Sequence, residues 1–399
     1  MITITSYLHR NRLKDLIRRW MYDEPQPSDA QDISRLVHFN NTFVARYLPV
    51  FSELMFSKLH DAPLQTQKCR LKGDLKDFIV TNVPNRNPRV DEMLESYRAT
   101  PGIYYRETPF HGTLYFTGRP ANPRYIGSNR IKRVRRLSEK SARRIIDWIY
   151  ANIKRRADRL AQERAQQLKI PIEALITAPD HMVAEFLKAE NRLLEDLRNR
   201  SPIHDADDLV INDVAGIKVI VEDADRERFL NKIHETASCE VIEVEPHTGK
   251  YNAVNLIVKY CPNRERLSAC PLGERLTRLM QARGLGPDEA LHQFRQFVLT
   301  GEEQVHVEVI VCDYVEMLES EIGGCMHEDR ILRQRLDQQY TGQLARNIEF
   351  LMAYLFAFPA SRRTELGDLP IRLWNRYLPD YFDEVLKVLF EIPSIEILD

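Results

Sequence analysis

The sequence predicts an α+β or α/β protein in which a mixed β-sheet is flanked by helices. The first observation is a β-branched run at 214–221, which is typical of a buried strand. The second is the alternation of apolar and polar residues at 305–311, which is typical of a half-buried strand. The third is helical apolar spacing on both sides of these strands, which indicates a mainly helical N-terminal region and C-terminal helices.

Within the N-terminal region, apolar residues recur near helical spacing at 33–54. Residues 84–123 are rich in Pro, Gly and Asn, which predicts loops and one or two short strands. A strong helical pattern covers 138–171 and stops near Pro171, because proline removes a backbone donor and clashes with the preceding turn. Another helix is predicted at 182–198.

The centre of the chain changes from helical to alternating patterns. It also contains a long insertion, in which we expect two helices, because a forty-residue structureless loop is improbable. In chain order the expected elements are a strand at 214–221, a helix at 223–236, strands at 239–245 and 253–260, the insertion at 262–301 and a strand at 305–311.

The C-terminal region returns to helix. An apolar stripe at 344–355 predicts an amphipathic helix that ends before Pro359, and a last helix is expected at 381–390. The chain therefore divides into three expected regions. These are a mainly helical region with a basic tract (1–170), an α/β domain with a helical insertion (171–330), and C-terminal helices (331–399).

Overall composition is that of an ordinary soluble protein. The 399 residues carry a formal net charge of -1, so total charge gives no hint of a nucleic-acid or membrane partner. The six cysteines form no CxxC pair and read as reduced thiols. We find no signal peptide and no apolar run of the roughly 18 residues that a membrane span needs. We therefore expect a cytoplasmic protein with no membrane partner.

Two acidic residues stand at positions that suit metal chemistry. Asp213 begins the 214–221 strand, and Glu308 interrupts the apolar strand at 305–311. Phosphoryl or pyrophosphoryl transfer needs one or two carboxylates for a divalent metal, with cations nearby. The plainer interpretations are a turn aspartate at the strand entry and a solvent-facing glutamate on a half-buried sheet.

A basic tract runs from Arg124 to Arg159, in which a dozen or more Lys and Arg residues face only three acids, Glu139, Asp147 and Asp158. Such clustering creates a positive field that can gather phosphates or nucleic acid. The alternative is a solvated helix face that is answered by acids elsewhere in the fold. Both interpretations remain open at this point.

Three segments of the central region share patterns with one known family. Residues 211–220 read Ile-Asn-Asp-Val-Ala-Gly-Ile-Lys-Val-Ile, residues 246–258 read Pro-His-Thr-Gly-Lys-Tyr-Asn-Ala-Val-Asn-Leu-Ile-Val, and residues 307–313 read Val-Glu-Val-Ile-Val-Cys-Asp. They resemble the strands D-hydrophobic-x-G-I-R-hydrophobic-I, P-K-x-N-G-Y-x-S/A-L-H-hydrophobic and V-E-hydrophobic-Q-I-R-T of the RelA/SpoT-type alarmone synthetase domain. The resemblance covers roughly 188–327, implies a nucleotidyltransferase-like fold, and is interrupted by the insertion.

The resemblance also implies roles for individual residues. Asp213 and Glu308 correspond to the two Mg²⁺-binding acids, and Glu308 would also activate the acceptor hydroxyl. Tyr251 corresponds to the aromatic residue that stacks on the acceptor guanine. Lys218 stands where the family has arginine, His247 where it has lysine, and Asn255 where it has histidine. The nucleotide-binding positions implied in this part of the chain are Lys218, His247, Tyr251 and Asn255.

The family binds ATP through the pattern R-x-K-x-x-x-S-I-x-x-K, about twenty residues before the metal aspartate. At that offset this chain has two cations, Arg192 and Arg200, but Glu190 stands for the leading arginine and Asp196 for the serine. The resemblance therefore implies an ATP site near Arg192, Arg200 and Lys218 that departs from the family's pattern.

Three functions follow as expectations. The first is a divergent pyrophosphokinase that moves pyrophosphate from ATP to the 3′-hydroxyl of a guanine nucleotide or related acceptor, with Mg²⁺ as cofactor. The second is a catalytically degenerate, nucleotide-binding regulatory protein. The third is a relative that modifies the tRNA 3′ end or binds RNA through the basic tract, 124–159. The N-terminal region shows no His…His-Asp metal motif, so alarmone hydrolysis is not expected.

Overall fold

The computed structural model of the protein describes residues 2–84, 86–119, 122–199, 209–249 and 251–393. In these residues it contains fourteen α-helices and a seven-stranded mixed sheet, with helices predominating at both ends of the chain. The predicted mixed α+β class is therefore confirmed. Among the described helices, none has the length and apolar character that a membrane crossing needs.

The strands are β1 (Ile2–Ile4), β2 (Gln65–Leu71), β3 (Pro109–Arg119), β4 (Asn122–Ile131), β5 (Leu209–Ile211), β6 (Ala215–Ile220), β7 (Cys239–His247), β8 (Ala253–Tyr260) and β9 (Val305–Cys312). The helices are α1 (Arg10–Met21), α2 (Asp29–Phe56), α3 (Lys72–Thr81), α4 (Pro88–Ala99), α5 (Val134–Leu168), α6 (Pro179–Arg198), α7 (Asp223–His234), α8 (Arg264–Ala269), α9 (Glu274–Gln281), α10 (Pro287–Thr300), α11 (Tyr314–Leu318), α12 (Met326–Leu336), α13 (Gln343–Ala357) and α14 (Pro379–Leu389).

The main sheet has the strand order β2-β3-β4-β6-β9-β8-β7. β6 and β9 run parallel, and every other neighbouring pair is antiparallel. In the parallel pair Gly216 lies opposite Glu308. A separate parallel pair joins β1 at the N-terminus to β5.

The two faces of the sheet carry two cores, as the alternation in β9 predicts. Val305, Val307 and Val309 are fully buried on one face, against the larger core that includes α2, α5 and α13. On the other face Glu308 and Ile310 are partly buried, beside a smaller core that includes α3, α4 and α11. The candidate site lies on this second face, because Glu308 belongs to it.

Several helices predicted from apolar periodicity are present in the structure. The 138–171 pattern is α5, which ends at Leu168 before Pro171, and the 182–198 pattern is α6. The apolar stripe at 344–355 is α13. The insertion holds three helices, α8, α9 and α10, where two were expected. The extra one, α8, is six residues long and capped by Asn263, too short to give a periodic apolar pattern.

The N-terminal region contributes more strand than its composition predicts. Residues 84–123 contain helix α4 and the eleven-residue strand β3, and β4 continues into the basic tract. Gly112 allows β3 and β4 to approach, since a Cβ there would lie 2.1 Å from the carbonyl oxygen of Asn129. Because β2, β3 and β4 extend the sheet of β6 and β9, the sheet crosses the expected boundary at residue 170.

Candidate functional site

Asp213 lies in the short connection between β5 and β6, where it meets two lysines. The backbone N–H of Lys132, just after β4, donates to the carbonyl oxygen of Val214 at 2.8 Å, which fixes this residue beside Asp213. The Lys132 ammonium donates to Asp213 Oδ2 at 2.5 Å, and Lys140 in the second turn of α5 donates to the same oxygen at 2.6 Å. Two cations therefore share one carboxylate oxygen.

The charge state of Asp213 follows from these lysines. Burial raises the pKa of Asp213, but the nearby ammonium groups of Lys132 and Lys140 lower it by more, so it lies well below its ordinary value. The carboxylate is ionised at neutral pH. Its other oxygen, Oδ1, is buried and has no hydrogen-bond partner among the described residues. A buried carboxylate oxygen without a donor is available to a ligand.

Glu308 in β9 is held by Arg130, which lies two strands away in β4. The guanidinium crosses the intervening strand β6 above Gly216, whose missing side chain leaves the space. A Cβ on Gly216 would lie 3.3 Å from Glu308 Oε2 and 3.7 Å from Arg130 Nε. The Arg130 Nη2 group donates to Glu308 Oε2 at 3.0 Å. Glycine at this position therefore leaves room for the contact without displacing Glu308.

The charge of Arg130 interacts with both Asp213 and Glu308. Burial lowers the pKa of Arg130, but the carboxylates of Glu308 and Asp213 raise it by more, so the guanidinium remains charged. Asp213 and Glu308 thus both act on the same cation. We call these five residues the acid-pair site: Arg130, Lys132, Lys140, Asp213 and Glu308.

A second set of buried charges adjoins the acid-pair site at the end of α11. There the chain forms a single π turn, Glu319–Gly323, that presents Ser320 and Glu321 to the sheet. Lys218 in β6 donates to Glu321 at 3.0 Å and to Ser320 at 3.1 Å, and Lys72 at the start of α3 donates to Glu321 at 2.7 Å. Lys218 is therefore committed to Glu321 in this structure.

Burial and the two lysines decide the charge of Glu321. Burial raises the pKa of Glu321, but Lys72 and Lys218 lower it by more, so the carboxylate is ionised.

His327 of α12 adjoins Arg130, with 3.3 Å between the imidazole Nε2 atom and the guanidinium Nη1 atom. Burial first, and then the charge of Arg130, hold the pKa of His327 well below its ordinary value. This imidazole is neutral near pH 7.

The remaining residues implied by the resemblance lie at other places on the sheet face. Tyr251 precedes β8, and burial together with the neighbouring Cys312 raises its pKa. His247 in β7 and Asn255 in β8 contact each other at 2.8 Å, between Nε2 and Nδ2. Glu321 acts electrostatically on both Tyr251 and Lys218, which places Tyr251 next to the second charge set.

The expected ATP-binding helix lies elsewhere. Arg192 is exposed on α6, and Asp196 of that helix pairs with Arg156 at 2.7 Å. Arg156 is sixteen residues beyond Lys140 in α5, about 24 Å along a helix. The structure therefore does not bring α6 at Asp196 to Asp213. The other predicted cation, Arg200, lies outside the described residues.

Sequence reasoning missed the cations that do reach Asp213 and Glu308, although the signal was present. The spacing R-x-K-x-x-x-S-I-x-x-K fits 130–140, with Arg130, Lys132, Leu137 and Lys140 at four of its positions and Arg136 at the serine. The resemblance places this pattern about twenty residues before Asp213. In this chain the rest of α5 and all of α6 lie between the two segments.

The basic tract divides between the two interpretations left open above. Its first cations, Arg130, Lys132 and Lys140, face the acid pair, where a phosphate could join them. Later cations are answered by acids of the fold: Arg143 pairs with Asp147 at 3.0 Å, within α5. Acids of the fold therefore answer cations in both parts of the tract, and phosphate binding by the first part remains a prediction.

Magnesium fits the donor set of the acid-pair site in chemistry. The carboxylates of Asp213 and Glu308 both act on Arg130, and Asp213 offers a buried oxygen with no donor among the described residues. Within the described residues there is no group of three or more Asp, Glu, His or Cys side chains that could enclose a metal. A metal held here would therefore complete its coordination with substrate oxygens and water, as Mg²⁺ commonly does.

Comparison with known proteins gives no second line of evidence. No model of a known protein family matches the chain, and no curated protein matches its sequence.

Proposed function

We propose that the protein is a nucleotidyltransferase-like, RelA/SpoT-like enzyme that transfers pyrophosphate from ATP to the 3′-hydroxyl of a guanine nucleotide or related acceptor. The observation that carries the proposal is the cluster of cations on the two acids: Arg130 donates to Glu308, and Lys132 and Lys140 donate to Asp213. An acid pair surrounded by Lys132 and Lys140 is the arrangement that polyphosphate chemistry needs. The motif pattern at 130–140 supports the same conclusion.

Each residue has a role in this proposal. Mg²⁺, held by Asp213 and Glu308, would neutralise the phosphate charge that develops during transfer. Lys132 and Lys140 leave Asp213 in part and bind the triphosphate oxygens, while Arg130 orients Glu308. Since the two lysine ammonium groups are already desolvated beside Asp213, they lose little solvation when the phosphate enters.

The transfer itself forms one bond and breaks one. The acceptor 3′-oxygen attacks the β-phosphorus of ATP, the bond from that phosphorus to the α,β-bridging oxygen breaks, and AMP leaves. Glu308 accepts the hydroxyl proton, which then passes to solvent. The products are AMP and an acceptor that carries a 3′-pyrophosphate. Tyr251, on the same face of the sheet, is the residue that would stack on the acceptor base.

The test uses ATP labelled in two positions. With Mg²⁺ and GDP, GTP or tRNA as acceptor, γ-labelled ATP should pass its label to the acceptor, and α-labelled ATP should yield AMP instead of ADP. Asp213→Asn and Glu308→Gln should each lower the rate by about 100-fold or more, the usual cost of removing a transition-state contact. Glu240→Gln, an exposed change in β7, is the matched control. Absence of label on every acceptor would contradict the proposal.

One observation favours a second candidate, a nucleotide-binding regulatory protein without turnover. Both acids are already neutralised by protein cations, Asp213 by two lysines and Glu308 by Arg130. Such a site can hold a nucleotide without a metal. Calorimetric ATP binding that is unchanged by Asp213→Asn and Glu308→Gln, together with no label transfer, would identify this function.

An RNA-binding role predicts instead an affinity for RNA that falls steeply with salt and depends on Arg144, which is exposed.

A further inference from the structure

A groove of about 730 Å³ lies beside the acid-pair site but is lined by other residues. Its walls are the segment 101–109 before β3, the start of α5 and one side of α12. This volume falls within the roughly 300–1,000 Å³ range of small-molecule sites. None of the five acid-pair residues lines it, although Arg133 and Arg136 of its wall belong to 130–140, the segment whose spacing fits the RelA/SpoT-like ATP pattern.

Arginines from three segments of the chain line the groove, beside two lining acids, Glu107 and Glu328. Arg133 and Arg136 of the α5 start and Arg335 of α12 line it together. Glu139 alone serves both Arg136 and Arg335, the latter at 3.0 Å. The Arg133 guanidinium makes no hydrogen bond or ion pair with the described residues. Burial, and then the charges of Arg136 and Arg335, lower its pKa despite Glu139, which reflects crowding of like charges.

Glu328 supplies a second, independent sign of a ligand. It lines the groove, is 4% exposed, and neither carboxylate oxygen has a hydrogen-bond partner among the described residues. The nearest cation, Lys72, lies 3.5 Å from Oε1 and gives its hydrogen bond to Glu321 instead. A buried carboxylate without donors is costly, so a ligand that brings N–H or O–H groups would stabilise it.

We propose that this groove binds a nucleoside di- or triphosphate at a site distinct from the acid pair. Arg133, Arg136 and Arg335 bind the phosphates, because planar guanidinium forks donate paired hydrogen bonds to phosphate oxygens. Glu328 accepts hydrogen bonds from the base or the ribose hydroxyls. The apolar side chains of Ile331 and Leu332 in the groove wall pack against the nucleoside. The site does not depend on the proposed transfer reaction.

Binding should be measured by calorimetry on the full chain with ADP, GDP and inorganic pyrophosphate, in EDTA so that no turnover occurs. At least one nucleotide should bind, and the double change Arg136→Ala and Arg335→Ala should weaken it tenfold or more. Arg333→Ala on the exposed side of α12 and Arg144→Ala on α5 are matched controls and should change the affinity less than twofold. Hydrogen exchange should slow at 101–109 and in α12 when the nucleotide is present.

Two further variants separate this site from the acid pair. Glu328→Gln should weaken nucleotide binding at least fivefold and leave pyrophosphate binding unchanged. Lys140→Met, which alters the acid-pair site, should leave groove binding within twofold of the unchanged protein. Nucleotide affinity that is insensitive to the arginine changes, pyrophosphate that binds as tightly as the nucleotides, or equal weakening by Lys140→Met would each overturn the proposal. Failure of label transfer alone leaves it intact, because no metal or acceptor is needed.

Discussion

Lys140, in the second turn of α5, donates a hydrogen bond of 2.6 Å to Asp213, which lies 73 residues further along the chain. Lys132 donates to the same oxygen, so the carboxylate holds together the end of β4, the start of α5 and the entry to β6. A site with two cations and one acid gives different results when a cation is removed and when the acid is removed.

Asp213→Asn should destabilise the fold more than Lys140→Met does. Without the carboxylate, two ammonium groups remain close together and partly buried. We expect this to lower the free energy of unfolding by about 2 kcal/mol, which is less than the loss on breaking a fully buried ion pair. Lys140→Met leaves Asp213 paired with Lys132 and should cost less than about 1 kcal/mol. Urea denaturation of both variants measures this. Asp147→Asn, more exposed on α5, serves as control. Equal losses would contradict the shared-oxygen arrangement.

Lys132 should make ATP binding depend on alkaline pH. Burial, opposed in part by Asp213, lowers the pKa of Lys132 to about 8. Above pH 8 the free protein therefore holds Lys132 mostly uncharged, and ATP binding must be accompanied by uptake of a proton at this ammonium. The affinity for ATP should then fall about tenfold per pH unit. The phosphates of ATP are fully ionised in this range, so they do not contribute.

Calorimetry in EDTA between pH 7 and 10 measures the effect on a protein that carries Arg136→Ala and Arg335→Ala, so that the proposed groove site does not contribute, with added Lys132→Met as the control that should bind weakly and with a flatter pH dependence. The stability of the free protein should change in the opposite direction. Because the folded pKa lies below the unfolded value near 10.5, the charged form is disfavoured in the fold, and this residue's contribution becomes more favourable as pH rises from 8 to 10.5. ATP affinity that stays constant across this window would show that Lys132 does not contact the ligand.

Glu321 should give the protein a dependence on acid pH. Its pKa is well below the ordinary value of 4.5, since Lys72 and Lys218 outweigh the effect of burial. A group with a lowered carboxyl pKa contributes stability above its unfolded pKa, and this stability is lost as pH falls through the folded value. At pH 7 Glu321→Gln should lower the free energy of unfolding by about 3 kcal/mol. The difference from the unchanged protein should shrink below pH 4.5.

Denaturant titrations at pH 7, 5 and 3.5 provide the measurement. Glu319→Gln, in the same π turn, is the control, because Glu319 is 19% exposed and pairs with an arginine that is 51% exposed. This control should change stability by less than about 1 kcal/mol at every pH. A Glu321→Gln effect that persists unchanged at pH 3.5 would mean that the lost stability comes from packing and not from charge.

Periodicity predicted most elements of this fold, because it records which side of an element is buried. The alternation of β9 and the apolar stripe of α13 are local signals of this kind. Glu321 and its partner Lys72 are separated by 249 residues, and nothing local to either segment announces their contact. Lys132 and Lys140 have a recognisable spacing, but the rest of α5 and all of α6 separate that spacing from Asp213 in the sequence. Long-range pairing was therefore the part that the sequence could not provide.

Gly216→Ala should separate activity from stability at the acid-pair site. The new Cβ would lie 3.3 Å from Glu308 Oε2 and 3.7 Å from Arg130 Nε, a tight but not impossible fit. The side chain of Glu308 must move by a few tenths of an ångström, which we expect to cost about 1 kcal/mol of stability or less. If Glu308 accepts the proton of the acceptor hydroxyl, however, the displacement should lower kcat about tenfold or more, with little change in KM for ATP.

Label-transfer kinetics and urea denaturation of the same preparation test both halves of this expectation. Gly301→Ala is the contrasting variant, because its Cβ would meet the Cβ of Leu8, a residue of the larger core, at 2.8 Å. It should lose about 1–3 kcal/mol of stability and lose activity only in proportion to the unfolded fraction. A Gly216→Ala protein with unchanged kcat would show that the position of Glu308 beside Arg130 does not matter for transfer, and would remove the proton-accepting role from this residue.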